Sequence, residues 1–428
     1  MLLLVYFKSS NEILACLRSI PHNRAPINAL DDDCLLNMFL LYRPALLGGD
    51  EDLNERIILG KKWHRERWWY KLAHVCPRWR RLILQSPSHL GLCLLFTHGT
   101  LVADMLAHSP PFPLLIDYDD INSCDRKGIM LALLHRDRVC RIRLMGSIPI
   151  LEWLIVILED EFPMLEYLCI SPEDNTTLRI PRAFRAPQLR RLVLTNLAFP
   201  IGSPQLSAAA GLATLPNLRS FGFGGVTTYS EAFLSRITAP CLEVLQVVFF
   251  KQLTFSVSCL LQFMISSEKL RLRSAILSFD GWGASLWVYP FATTWSPTFA
   301  LRFSSRHQLS TAAQIFNVLR LVFASVVNLA LEYEGHRSST QSQNQANRAL
   351  WRMMLLRSFN NVKNLHVHLS FVKELFPSSL FDNGELPMDP LPGLKKLTYS
   401  RRSNTGGAFR KFIYTRRNAG HPVVHQTD

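Results

Sequence analysis

The feature that most constrains the fold is a six-residue pattern, h-x-x-h-x-h with h an apolar residue, that returns along the middle of the chain. Its occurrences begin at Val139, Leu165, Leu189, Leu218, Leu242, Val326, Val362 and Leu394. The first five begin 24 to 29 residues apart, a spacing at which one strand and one helix form a unit that stacks on the next. Such a unit cannot bury its apolar face alone, so the pattern predicts neighbouring parallel strands with one shared core. The residues that we expect to point into this core include Leu168, Leu192, Leu245, Leu329 and Leu365.

A proline stands two residues before the pattern at five places. These prolines are Pro163, Pro187, Pro216, Pro240 and Pro392. Because proline has no N–H for a strand ladder, we expect each one to lie just outside a strand. The pattern returns 84 residues after Leu242, and we predict two diverged strands in this interval, over 270–279 and 298–303. The same residues also fit an ordinary α/β domain with parallel strands and crossover helices.

Composition places the chain among globular proteins. It has 428 residues, of which 48% are hydrophobic and 19% are charged, which is too apolar for a disordered chain. The formal net charge of +14 is compatible with an anionic partner. The nine cysteines follow no disulfide or metal-ligand spacing, which favours reduced thiols and a cytoplasmic and/or nuclear location. The longest apolar runs are far shorter than the ~18 residues of a membrane span, so no membrane partner is expected.

Two segments near the N-terminus resemble an F-box. They read INALDDDCLLNMF over 27–39 and LAHVCPRWRRLILQSPSHL over 72–90. The F-box pattern is an L-P-x-E-L-L-x-x-I-F helix, then a helix ending in V-C, then R-x-W-R and a short S-P-x-L. The matching residues are Leu30, Leu35, Leu36, Met38, Phe39, Leu72, Ala73, Val75, Cys76, Arg78, Trp79, Arg80, Ser86, Pro87 and Leu90. Asp31 stands where the pattern has proline.

The residues themselves agree with three short helices. Asp31 is a good N-cap for the first helix, and Pro77 suits the first position of the third, where its missing N–H costs nothing. Helices of ~10 residues cannot make an independent core, so they must pack on another domain or on a partner. We expect an incompletely buried apolar surface formed by Leu35, Phe39, Val75 and Trp79.

The chain as a whole resembles fungal F-box proteins with degenerate leucine-rich repeats. The implied fold class is α/β, with a short helical F-box followed by an irregular leucine-rich-repeat solenoid with parallel strands. The implied organisation is a leader over 1–26, an F-box-like domain over 27–90 with an inserted loop over 40–68, a solenoid over 91–402 and a basic tail over 403–428. The asparagine or cysteine that usually follows the repeat pattern is absent, which predicts an irregular array.

The resemblance implies a substrate-recognition subunit of an SCF-type cullin–RING ubiquitin ligase. The solenoid would bind a target protein, and the chain would not be an enzyme. The residues implied to bind the Skp-type linker subunit are Leu30, Leu35, Leu36, Met38, Phe39, Leu72, Val75, Cys76, Trp79 and Leu82. The alternative is a scaffold outside the ubiquitin system, or a nucleic-acid-binding protein using its basic surface. The basic and aromatic segment 61–71 would suit the latter, although it also fits an amphipathic lead into an F-box helix.

No pattern predicts catalysis, a metal or a cofactor. The acidic run 117–120 lacks the remaining features of a calcium loop, and the pairs His366/His368 and His421/His425 lack further zinc ligands. The segment 391–428 carries eight basic residues against one acidic residue. A basic cluster of this kind suits a polar cap on the last repeat, docking of an acidic target, nuclear import or a solvated end of the chain.

Overall fold

The fold is taken from a computed structural model of the chain. It describes residues 27, 30–42, 68–97, 100–119, 126–173, 185–195, 213–250, 252, 254–280, 283–291, 296–305, 308–333, 354–368, 391–399, 413–414, 416–418 and 420–427. These residues fall into two compact units. The first lies within Met1–Asp117 and Cys124–Val139, and the second within Tyr118–Ser123 and Cys140–Asp428. The predicted leader and most of the predicted insertion lie outside the described residues.

The first unit begins with a group of helices and continues with strands and helices in alternation. Its helices are α1 (Asp32–Tyr42), α2 (Trp68–Ala73), α3 (Pro77–Gln85), α4 (Pro87–Leu90), α5 (Val102–His108) and α6 (Arg126–Leu134). Strand β1 (Leu94–Phe96) pairs in parallel with β2 (Leu114–Asp119), with Leu94 opposite Leu114. Helix α1 extends three residues into the segment 40–68 that we predicted to be a loop, and α2 begins at its last residue.

The second unit is built from strands that alternate with helices. Its strands are β3 (Val139–Gly146), β4 (Tyr167–Pro172), β5 (Arg191–Thr195), β6 (Ala213–Thr214), β7 (Ser220–Gly225), β8 (Ile237–Thr238), β9 (Val244–Phe249), β10 (Ser274–Phe279), β11 (Gly283–Tyr289), β12 (Phe299–Ser304), β13 (Asn328–Tyr333), β14 (Asn364–Val367), β15 (Lys396–Tyr399) and β16 (Val424–Thr427). Its helices are α7 (Ile148–Ile155), a 3-10 turn over Val156–Glu159, α8 (Thr227–Leu234), α9 (Ser258–Ser266), α10 (Gln308–Val318) and α11 (Arg320–Phe323).

The main sheet of this unit is mixed but mostly parallel. Its strand order is β3-β4-β5-β7-β9-β12-β11-β10-β13-β14-β15-β16, while β6 and β8 pair separately. Each h-x-x-h-x-h occurrence puts its last two apolar residues on one strand, in register with its neighbours: Leu168 lies opposite Leu192, and Leu329 opposite Leu365. All pattern residues except Tyr399 are buried. The predicted shared core is confirmed.

Helices pack on the face of this sheet that carries the buried pattern residues, and aromatic rings fill the space between sheet and helices. Phe221 of β7 stacks on Phe233 of α8 and meets Phe263 of α9 edge to face, with ring centroids 5.5 and 6.0 Å apart. Further along, Phe323 of α11 stacks on Phe359 at 5.1 Å. These contacts bury the faces that single repeats would leave exposed.

The prolines have a different place from the one that we predicted. They do not border the strands but occupy the second position of a tight turn, for which the fixed φ of proline is suited. The amide of Leu165 donates to the carbonyl of Phe162 across Pro163, at 3.2 Å, and that of Leu189 donates to Ala186 across Pro187, at 3.1 Å. The same bond closes the turns at Pro216, Pro240 and Pro392.

The diverged interval holds three strands where we predicted two. Strands β10 and β12 confirm the predicted positions, with β10 starting four residues later than expected, but β11 lies between them and is antiparallel to both. Because this meander runs backwards across the sheet, β9 neighbours β12 and β13 neighbours β10. The strands of Leu245 and Leu329 are therefore not neighbours. Gly283 opens β11, where a Cβ would collide with the carbonyl oxygen of Phe303.

The sheet continues into the segment that we predicted to be a basic tail. Strand β16 pairs in parallel with β15, with Lys396 opposite Val424. Arg416 is completely buried, and its guanidinium donates to the carbonyl oxygens of Leu391 at 3.0 Å and Leu394 at 3.4 Å. Arg416 is therefore not part of a solvated end of the chain. Across the described ranges, no helix is both long and apolar enough for a bilayer.

Candidate functional site

The candidate site is the group of helices α1 to α4 together with Leu30, which we call the helical cluster. Arg78 of α3 joins it to the start of α1, 46 residues earlier in the chain. Its Nε and one terminal nitrogen donate to Oδ1 of Asp32, at 3.2 and 2.7 Å, and that nitrogen also donates to the carbonyl oxygen of Leu30 at 2.7 Å. This fork geometry is specific to arginine, which explains the first arginine of the R-W-R motif.

The second arginine of the motif joins α3 to α2. Nε of Arg80 donates to the carbonyl oxygen of Ala73, the last residue of α2, at 3.0 Å. The last carbonyls of a helix have no partner within the helix, and a cation at this end also suits the helix dipole. The two arginines of the motif therefore fix the ends of two different helices.

Local caps set where the helices begin. Oδ1 of Asp31 accepts a 2.6 Å hydrogen bond from the backbone amide of Cys34, which confirms Asp31 as the predicted N-cap of α1. That bond lowers the pKa of the Asp31 carboxyl, and the positive charge of Arg78 contributes in the same direction. Cys76 caps α3, where its Sγ accepts from the amide of Trp79 at 3.5 Å, and Pro77 takes the first helical position as predicted.

The interior of the cluster is apolar and aromatic. The rings of Phe39 and Trp79 meet edge to face with centroids 4.8 Å apart. Five of the ten predicted linker-binding residues are buried in this interior: Leu30, Leu35, Phe39, Leu72 and Leu82. The expectation that Leu35 and Phe39 lie on an incompletely buried surface is therefore wrong. They face the other helices of the cluster, because three helices and the turn before α1 can enclose one side of α1.

The other predicted linker-binding residues remain at or near the surface. Leu36 and Met38 of α1, Cys76 and Trp79 are half-buried, and Val75 is 59% exposed. Two residues that we did not predict join them, since Leu41 and Tyr42 at the end of α1 are both 56% exposed. The unbroken apolar run Phe39–Tyr42 could have revealed them, because a helix that is apolar all round must bury more than one face.

The basic and aromatic segment contributes rings to the core. Trp68 and Trp69 are buried, and the ring of Trp69 lies edge to face against Phe112 with centroids 5.7 Å apart. Rings in this position cannot stack on bases. Residues 61–67 lie outside the described part of the chain.

No metal site forms where the structure describes the chain, since these ranges contain no group of three or more His, Cys, Asp or Glu side chains suited to one ion. Asp117 of the acidic run is buried in β2, and Asp120 lies outside the described residues. His366 lies on β14, His368 directly follows it, and His425 lies on β16. Within the described ranges, neither histidine pair belongs to a group of three or more such side chains, the smallest number that a zinc site would need.

Comparison with protein-family models and with curated proteins finds no match to this chain.

Proposed function

We propose that the protein is the substrate-recognition subunit of an SCF-type cullin–RING ubiquitin ligase. The helical cluster binds a Skp-type linker subunit, and the repeats form an irregular leucine-rich-repeat array that binds a target protein. The chain makes and breaks no bonds in this role. It raises the effective concentration of the target near the ubiquitin-transferring subunits, and it acts in the cytoplasm and/or the nucleus.

One observation carries the proposal: the residues of the V-C-P-R-W-R motif build the helical cluster and leave its apolar surface unfinished. Cys76 and Pro77 start α3, while Arg78 and Arg80 hold the ends of two other helices. Val75, the first residue of the motif, is 59% exposed, and Leu41 and Tyr42 of α1 are each 56% exposed. Large exposed apolar side chains on a small cluster indicate a protein-binding surface.

The sheet of the second unit supports the second half of the proposal. Eight pattern occurrences supply parallel strands in register with one buried core, and the β10–β12 meander is the interruption of the array. Repeat arrays present extended surfaces that suit protein partners. The burial of Trp68 and Trp69 keeps two rings of the segment 61–71 from stacking on bases, which weakens the nucleic-acid alternative.

The test is calorimetric titration of the full chain with a purified Skp-type linker subunit. We expect one-to-one binding that is lost in the double variant Leu41→Glu/Val75→Glu, because the two charges would be buried without partners. The matched control is Val156→Glu/Leu321→Glu, which alters two residues of the second unit that are 62% and 66% exposed. The control variant should bind as the parent does, and circular dichroism should show both variants folded.

Two outcomes would contradict the proposal. A parent chain that does not bind any Skp-type subunit would exclude the receptor role. Equal loss of binding in both double variants would show that the helical cluster is not the interface.

A further inference from the structure

One edge of the sheet in the second unit carries charged residues in two different arrangements. In the repeats, the residue after the first apolar position lies at or just before the start of a strand, and on each side of the β10–β12 meander backbone bonds connect these residues from one repeat to the next. The amide of Arg190 donates to the carbonyl of Glu166, Arg219 to Arg190, and Glu243 to Arg219, each at 2.8 Å. Carboxylates neutralise the cations here: Glu166 pairs with Arg190 and Glu243 with Arg219, both at 3.8 Å.

Further along the same edge, the described residues include three lysines. The amides of Lys395 and Lys396 donate to the carbonyl of Lys363 at 2.8 and 2.9 Å. Lys395 therefore lies beside Lys363 just before β15 and β14, and Lys396 begins β15 opposite Asn364. We call these three exposed residues the lysine edge. In the part of the chain that the structure describes, their ammonium groups pair with no carboxylate. Neighbouring strands lie about 4.8 Å apart, and like charges at this distance repel each other.

The neighbouring polar side chains do not relieve this repulsion. Nδ2 of Asn364 donates to Oδ1 of Asn328 at 2.7 Å, and Nδ2 of Asn328 donates to Oγ of Ser274 at 2.9 Å. This row of neutral groups crosses β14, β13 and β10 in register and ends beside Lys396. It fixes the strands that carry the lysines and adds no negative charge, so the lysine edge is a preorganised cationic surface.

We propose that the lysine edge docks an acidic segment of a protein. This inference rests on the proposed function, in which the repeat-bearing unit binds the target, and it states the chemistry of that target. The paired part of the same edge shows the fit, because Glu166 and Glu243 place carboxylates against cations at the strand starts. An external acidic segment would supply to β14 and β15 the charges that the chain itself supplies to β5 and β7.

The surroundings favour carboxylates over a nucleic acid. The outward positions of β14 and β15 are Asn364, His366, Lys396 and Thr398. They offer no Phe, Tyr or Trp ring, whereas proteins that bind single strands combine cations with rings that stack on bases. An acidic protein segment needs only the charges that are present.

The test measures the anisotropy of a fluorescein-labelled polyglutamate peptide bound to the full chain, at low and at physiological salt. We expect salt-sensitive binding that is weakened about tenfold in Lys363→Glu/Lys395→Glu, mainly through slower association. The matched control is Arg320→Glu/Arg357→Glu, which makes the same change in net charge at two exposed arginines outside the lysine edge. The control should weaken binding about twofold or less, as expected for salt-screened charges that do not belong to the docking surface.

The design separates the possible outcomes. Should the charge reversal unfold the chain, Lys363→Gln/Lys395→Gln must show a smaller loss in the same direction. Equal loss in the lysine and control variants, or no binding by the parent, would overturn the proposal. The proposal would also be overturned if an oligothymidylate of equal charge bound more tightly than the peptide and if the lysine substitutions weakened its binding. The assay contains no linker subunit, so its failure leaves the linker titration unaffected, and failure of that titration leaves this result standing.

Discussion

The helical cluster of the first unit and the sheet of the second unit reach their packing in different ways. In the sheet, one apolar pattern recurs on strand after strand, and each buried residue repeats the contact that its neighbour makes. In the cluster, single side chains do the joining: Arg78 holds the start of α1, and Arg80 holds the end of α2.

The two regions also differ in how completely they bury their large apolar side chains. The repeats cover their pattern residues almost completely, with helices on the inner face of the sheet. The cluster buries Leu35 and Phe39 but leaves Leu41, Tyr42 and Val75 more than half exposed. A cluster of short helices has too little interior to be stable by burial alone, so we expect it to gain stability when its exposed apolar residues are covered.

The largest expected effect is in the core of the sheet. Phe221 is completely buried between two aromatic rings, and Phe221→Ala should lower the free energy of unfolding by about 3–5 kcal/mol, since it removes buried area and leaves a cavity. Urea unfolding measures the change. Phe291→Ala is the control, because Phe291 is 49% exposed and its loss should cost about 1 kcal/mol or less. Similar losses in both variants would contradict a packed, shared core.

The next effect tests whether the end of the chain belongs to the sheet. Arg416→Met keeps an unbranched apolar stem at a completely buried position but removes the guanidinium and its hydrogen bonds to Leu391 and Leu394. We expect a loss of about 2–3 kcal/mol, as for hydrogen bonds made by a charged donor. Arg417→Met, at the exposed neighbour, should change the unfolding free energy very little. An unchanged Arg416→Met variant would mean that the segment after 402 does not support the sheet.

Much of the sheet could be predicted because its signal is local. The pattern needs only six residues, and it identified the strands of Leu168, Leu192 and Leu245 at their observed places. Strand β11 escaped because it is antiparallel, follows β10 after a short connection and has no turn proline before it. Its buried residues Ala284, Leu286 and Val288 alternate with half-buried ones, a period of two that is typical of a hairpin strand rather than of the repeat.

The helical cluster shows where sequence reasoning stops. The caps at Asp31 and Pro77 were predictable, because each depends on residues within one turn. The bond between Arg78 and Asp32 was not, since it joins positions 46 residues apart. For the same reason the apolar face of α1 was evident, but whether a partner or the chain itself covers Leu35 and Phe39 was not.

The third prediction concerns that long-range bond. Arg78→Lys keeps the positive charge but loses the fork that reaches both Asp32 and Leu30. The side chain of Arg78 is 33% exposed and that of Asp32 is 57% exposed, so solvent screening limits the loss to about 1–2 kcal/mol. Hydrogen exchange of the α1 amides should show faster opening, with no change in β4 or β5.

Arg81→Lys is the matched control for Arg78→Lys. Arg81 is an exposed arginine of the same helix, α3. Its replacement by lysine should leave the hydrogen exchange of the α1 amides unaltered. Faster exchange across the second unit as well would show that the two regions do not differ in the way that we infer.

The smallest expected effect is a pH dependence confined to α1. Because hydrogen bonding to the Cys34 amide lowers the pKa of Asp31 below its ordinary value of 3.8, folding is favoured by the ionised carboxylate. This contribution is complete above the unfolded-state pKa and is lost as the pH falls through the lower folded-state pKa. Asparagine also caps helices well, so Asp31→Asn should resemble the parent near neutral pH and lose less α1 protection than the parent in acid. The control is Asp33→Asn, at another exposed position in the first turn, which should follow the parent's curve of α1 protection against pH. Parallel curves for the parent and Asp31→Asn would show that the cap does not depend on the charge of Asp31.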